Sequence, residues 1–394
     1  MSGTIKTHEP RVIIIPKPAQ APAESERQRK RKPHIITVLL SLLALIALIH
    51  FIAVMHGGIS TVATPTTCQE LVRTTDYTQA VHLQPKSQDM GAVQLVNQVA
   101  GGLPAALVQV TNTGQQHTLD VYVYGCTMQQ HSPRLTTLFS QRGLIEGTAT
   151  ISATNTLLVS ELDTTLTSQA TTLMQPLQQN VYREYTWQNG AFVQISFPGL
   201  YPVTSRGEAE ALQQAADNGQ TQPWSDPLAT AEQMAKDLFK WTATSPQNTV
   251  LNNNGVTAQV ELIQQNPQIQ VTVTLERLIQ HDDKGLWFVT AAQSNGMTLN
   301  QPPTSAIVTS PTTVHGTGAL ADGQSSATFF DHTLTPLSLL NNATLNVDNH
   351  GTYNGLLFYN NSVQNQPGLL LVQSMPPSGS SEAGQLLLTR IILG

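Results

Sequence analysis

The rhythm of hydrophobic positions changes along the chain. Residues 1–33 have almost none. Pro10, Pro16, Pro18, Pro22 and Pro33 interrupt a polar stretch whose one apolar run is Val12–Ile15. This composition predicts a disordered tail. From His34 to Met55 the pattern becomes continuously apolar, and Ile35–Met55 carries only Thr37, Ser41 and His50 as polar members. As a helix, those residues extend roughly 31 Å, enough to cross a hydrocarbon core. The pattern predicts a transmembrane helix over 34–56, then a flexible stalk, GGISTVATPTT, at 57–67.

Period two dominates from 68 to 200. PAALVQVTN (104–112) and TLDVYVYG (118–125) read as a hairpin, with Leu119, Val121 and Val123 alternating with Asp120, Tyr122 and Tyr124. TATISATNTLLVSEL (148–162) can give another pair, bent at Thr154–Asn155. In YREYTWQNGAFVQISF (182–197), Asn189–Gly190 supplies the two positive-φ positions of a type I′ turn. This region is expected to be a small, mostly-β domain.

The period then lengthens. Ser205 followed by Glu208 fits a capping box that opens one helix, closed by Asp217-Asn218-Gly219. Asp226–Pro227 caps a second, whose Leu228, Ala231, Met234, Ala235, Leu238 and Trp241 share one face. Alternation returns at Val256–Leu262, Ile269–Leu275 and Trp287–Ala291. Two helices and a three-stranded antiparallel sheet make an α+β domain over 201–298, similar in outline to cystatin-like or nuclear-transport-factor-like sheets that wrap a helix. After the QPPTS linker (301–305), seven short strand-like runs fill residues 303–394: AIVTS, TTVHGTG, SATFFD, ATLNVD, GLLFYNN, GLLLVQS and QLLLTRIIL. Short strands with Gly and Asn turns between them predict a β-sandwich.

Charge sharpens the topology. Arg27, Arg29, Lys30, Arg31 and Lys32 lie just before the apolar stretch, and the next cation after it is Arg73. Positive residues stay on the cytoplasmic side, so the tail is expected inside and the rest outside. A cleaved signal peptide would need an n-region 33 residues long, so an uncleaved anchor is expected. The tail holds eight basic and three acidic residues, a net of +5 in a chain of −6, which leaves −11 for the remainder. An acidic ectodomain disfavours nucleic acid as a ligand. Only 11% of residues are charged, and Gln, Thr, Asn and Ser carry the polarity. Cys68 and Cys126 both fall outside, where disulfides persist, and are candidates for a bridge; two free thiols are the alternative.

Candidate chemistry is sparse. The sequence has no P-loop, dinucleotide fingerprint, H-E-x-x-H or G-x-S-x-G. His281, Asp282 and Asp283 read as a solvated turn. His117 and Asp120 fall on opposite faces of their strand. No cofactor or metal is expected. Trp224 in a loop, and Tyr182 and Tyr185 on one strand, are candidate surface contacts; Trp241 and Trp287 lie on faces already assigned to core.

The last quarter resembles a known family. Ser310, Pro311, Val314, Gly316 and Ala319, with Gly368, Leu370, Val372, Ser374 and Gly384, look like the immunoglobulin-like domain of bacterial spore-germination and other exported, membrane-anchored proteins. TPLSLLNN departs from that pattern. The resemblance implies a binding or assembly module with no catalytic residues. The expectation is a non-catalytic, single-pass membrane protein that binds or scaffolds in the cell envelope, against the wall or a protein partner, with a link to sporulation or germination. A transmembrane sensor and an envelope hydrolase are the alternatives.

Overall fold

The computed structural model describes residues 67–114, 116–130, 132–166, 179–242, 245–320, 324–377 and 380–394. The expected span, the basic run from Arg27 to Lys32 and most of the stalk lie outside these residues. Among the described residues, no helix is long and apolar enough to cross a membrane. The chain from Pro65 to Gly394 forms one compact unit, and it is mostly β.

The unit opens with two short helices that the strand-like reading of 68–200 did not anticipate. Helix α1 (Cys68–Thr74) is capped by Thr67, whose hydroxyl accepts from the Glu70 N–H. Asp76 does the same for α2 (Tyr77–Ala80), accepting from the Thr78 N–H. Strands β1 (Gln88–Met90), β3 (Ala105–Asn112), β4 (Thr118–Gln129) and β5 (Ser132–Ile145) follow in the sheet order β1-β3-β4-β5, with β2 (Gln94–Leu95) on β3. The helices explain an oddity of β4. Its second face, the one that alternates with Leu119, Val121 and Val123, carries Tyr122 and Tyr124, and both are buried with Val72 and Tyr77 under α1 and α2. Cys68 and Cys126 close this layer as a disulfide, with Cα atoms 5.3 Å apart.

The other face of β3 and β4 presents Leu107, Val121 and Val123 to a second sheet, β6 (Thr148–Ile151), β7 (Leu157–Leu162), β8 (Asn180–Gln188) and β9 (Ala191–Ile195), which form a four-stranded meander. Leu157 and Val159 fill the space between the sheets. Asn189 and Gly190 turn β8 into β9 with φ of 50° and 85°, as the hairpin requires.

Helix α3 (Arg206–Asp217) starts at the expected capping box, and α4 (Pro227–Leu238) at Asp226, whose carboxylate accepts from the Ala229 N–H. The sheet beneath α4 has one strand more than expected: β10 (Thr249–Asn253), β11 (Thr257–Gln265), β12 (Gln268–Glu276) and β13 (Phe288–Gln293). All of β10 is exposed, so no apolar alternation marks it.

The remaining strands are β14 (Thr298–Gln301), β15 (Ile307–Val308), β16 (Thr312–Thr317), β17 (Gln324–Phe330), β18 (Thr344–Val347), β19 (Thr352–Leu357), β20 (Gln366–Met375) and β21 (Gln385–Leu393). Each of the seven predicted runs contains strand residues, though AIVTS is strand only at Ile307–Val308 and GLLFYNN only as far as Leu357, and they pack in a sandwich-like way around Val314, Phe329, Tyr353 and Leu370. The sheet does not stop at 298–303. Strand β21 pairs with β13 through Ala292–Leu388 and Gln293–Leu387, so hydrogen bonding runs unbroken from β10 to β14 in a 12-stranded sheet. The segment read as a linker is held as well: Gln301 is in β14, the Ser305 N–H donates to the Arg390 carbonyl, and Thr304 bonds Thr389.

Strands β20 and β21 are therefore buried on both faces. Leu370, Val372, Leu387 and Ile391 enter the sandwich core, while Leu369, Leu371, Leu386 and Leu388 join Met234, Leu238 and Val271 beneath α4. This accounts for the unbroken apolar runs GLLLV and LLL, which a strand with one wet face would not carry.

Candidate functional site

The polar groups of the interior converge where the β6–β9 sheet, the start of α3 and the loop after β17 meet. Asp163 follows β7 and His332 follows β17; their Oδ2 and Nε2 atoms are 3.0 Å apart, and both residues are buried. Burial pushes the Asp163 carboxyl up, but hydrogen bonds from His332 and Thr165 outweigh it and hold it below the ordinary carboxylate value. An ionised Asp163 makes His332 Nε2 the donor, and among the described residues Nδ1 has no hydrogen-bond partner. The loop itself is pinned from both sides. The His332 N–H donates to Gln366 Oε1, and the Thr204 hydroxyl donates to the His332 carbonyl.

Glu208 faces the same junction. The capping box places it there, since Ser205 Oγ accepts from the Glu208 N–H and donates to Glu208 Oε2 at 2.6 Å. The side chain is almost wholly buried, and that burial pushes its carboxyl up to about 7 despite the Ser205 hydroxyl and nearby His332, which both favour the charged form. Next to it, Arg206 Nε donates to Glu184 Oε1 at 2.6 Å, and Thr156 donates to the same oxygen.

One strand register away, Arg183 ties the first half of the unit to the last. Its Nη2 donates to the Gln364 carbonyl at 2.7 Å, and Nη1 is 2.7 Å from Glu161 Oε1, an ion pair rather than a hydrogen bond. Beside it lies a cleft of about 330 Å³, lined by Glu161, Asp163, Arg183, Tyr185 and residues 362–365. His332 and Glu208 do not reach this cleft wall. Asp163 alone of the three opens onto this space, and the buried contacts of His332 and Glu208 fasten three segments of the chain to one another.

The residues singled out in the sequence lie elsewhere. Trp224 is half-buried, packed edge-on to Tyr201 between two parts of the core, and is not a free surface contact. Tyr182 and Tyr185 are three positions apart on β8 and so face opposite sides of the sheet. Tyr182 lies against Gly207 at the start of α3, where a Cβ would collide with its ring. Tyr185 packs edge-on to Phe139 and donates to Gln141 at the cleft. They form no common platform. Asp282 accepts from Gln280 and from the Lys284 N–H in an exposed turn, and Asp120 accepts from the Gly143 N–H. Among the described residues no group of three His, Cys, Asp or Glu side chains could hold a metal. Of the junction residues only Glu208 had a readable signal, its capping spacing; Asp163 meets His332 across 169 residues of chain and Arg183 meets Gln364 across 181, and no local pattern joins them. No protein-family model matches the sequence, and no curated protein is similar to it.

Proposed function

We propose that the chain is a single-pass membrane protein, tail inside and the 65–394 unit outside, acting as a binding or scaffolding component of the cell envelope. The observation that carries this reading is the Cys68–Cys126 disulfide, which begins 13 residues beyond Met55, the end of the apolar stretch, and staples the first layer of the unit. A structural disulfide belongs in an oxidising compartment, on the side of the membrane that the basic run assigns to it. The shared sheet adds support: a single continuous body from Pro65 onward suits a binding or scaffolding surface. The buried junction spends its charged groups on holding that body together. The link to sporulation or germination rests on the resemblance of the last module alone.

The test is co-sedimentation of the purified 57–394 ectodomain with isolated cell-wall sacculi, beside protease treatment of intact cells making the full chain. Pelleting with sacculi, and digestion from outside, are the expected results. An ectodomain protected from external protease would overturn the topology. Failure to pellet would remove the wall as partner.

A further inference from the structure

Charge is scarce in the last third of the chain. After Lys284 the charged residues are Asp322, Asp331, Asp348, Glu382 and Arg390, so Arg390 is the sole cation there. It is not placed where a surface arginine would be. Strands β13 and β21 share only two residue pairs before they separate, and the gap they leave is a cleft of about 450 Å³, within the usual range for a small-molecule site. Its walls include Leu200, Thr290, Gln293, Leu299, Thr389 and Arg390. The mixture is apolar side chains, hydroxyls, one amide and one cation.

The guanidinium is oriented by fixed groups. Nε donates to Ser305 Oγ at 2.9 Å, and Nη1 donates to the Pro198 carbonyl at 3.3 Å. Both acceptors are neutral. Among the described residues no carboxylate pairs with Arg390; Glu276 acts on it only at longer range. A half-buried cation held by neutral acceptors, with guanidinium N–H groups to spare, is matched by an anion that can take two parallel hydrogen bonds. One cation balances one charge. A phosphate, with a charge nearer two, would leave an excess negative charge in a partly desolvated cleft.

We propose that the cleft between β13 and β21 binds a monocarboxylate with a compact, partly apolar body, Arg390 taking the carboxylate and Leu200 and Leu299 flanking the body. The site stands apart from the buried Asp163–His332 junction, and the proposal does not depend on the envelope reading.

The test is calorimetric titration of the full chain, solubilised in detergent, with cyclohexanecarboxylate and glucuronate, their methyl esters, and inorganic phosphate. At least one acid should bind, its ester should bind at least about tenfold more weakly, and phosphate should not compete. Arg390→Gln should lose binding, and Arg390→Lys should keep part of it, because the charge remains and the fork does not. Since Arg390 also holds Ser305 and Pro198, a second variant leaves it in place: Gln293→Trp fills the cleft from its exposed rim and should weaken binding about tenfold or more. Equal binding of acid and ester, tighter binding of phosphate, unchanged binding by Arg390→Gln, or no binding of either acid would each overturn the proposal.

Discussion

Glu208 is the residue at which structure and solution conditions couple most directly. In the unfolded chain it loses its proton near the ordinary value of 4.5, whereas in the native state burial delays the loss to about 7. Between those values the native state binds the extra proton, so stability falls as pH rises through the window, and the loss is complete above the upper value. Its size is on the order of 3 kcal/mol. Asp163 works in the opposite sense: its carboxyl is held low, so the stability it contributes is present above the ordinary carboxylate range and is lost only in stronger acid. Glu208→Gln keeps a side chain that can accept from Ser205 but cannot ionise. Its urea midpoint should be nearly flat from about pH 5 to about pH 8, while that of the native sequence declines, leaving the variant the more stable at the alkaline end. A native protein with no decline, or a variant that keeps it, would show that Glu208 does not titrate there. Replacing His332 by Ala strands a buried carboxylate and should cost roughly 3–5 kcal/mol, read from the same urea curves. A cost below about 1 kcal/mol, the level of an exposed pair, would mean that the junction does not fasten the fold.

At the scale of elements, what could be read from the sequence depended on how local the cause was. The Asn189–Gly190 turn, the Ser205 capping box and the Asp226–Pro227 start are decided by a few adjacent residues, and each appears at its predicted position. The two N-terminal helices were missed because each is too short to show a helical period, and β10 because its residues are all exposed. The double-sided strands were legible as strands but not in their placement. GLLLV announces burial on both faces without saying what covers the second. The structure supplies α4, and the consequence is measurable. Leu370→Ala opens the sandwich core and Leu371→Ala the core beneath the helix, so both should cost about 2–5 kcal/mol. A strand at the rim of a free-standing sandwich would show that loss on one face only. The disulfide is the corresponding fastening at the other end. Converting Cys68 and Cys126 to Ser releases a loop of 58 residues' separation and should cost on the order of 4 kcal/mol by chain entropy. Little change in the melting temperature on reduction would argue that α1 and α2 hold to β4 without it.

For the whole molecule, the sequence reads as beads on a stalk, whereas the structure from Pro65 onward is one unit whose sheet and cores cross the expected boundaries. The difference is physical. A linker rich in Pro and Thr looks like a break, but Ser305, Thr304 and Arg390 bond it back onto β21, and Arg183 joins β8 to residue 364. Long-range pairings of this kind leave no periodic trace. The most direct measurement is the thermal melt and near-ultraviolet circular dichroism of residues 303–394 made alone, beside 57–394. Cut free, that piece exposes Phe330, Leu369, Leu371, Leu386 and Leu388, which the intact unit buries. The piece should aggregate or lack fixed packing, while 57–394 melts cooperatively. A monomeric 303–394 with a sharp melt of its own would contradict it and restore the picture of independent modules.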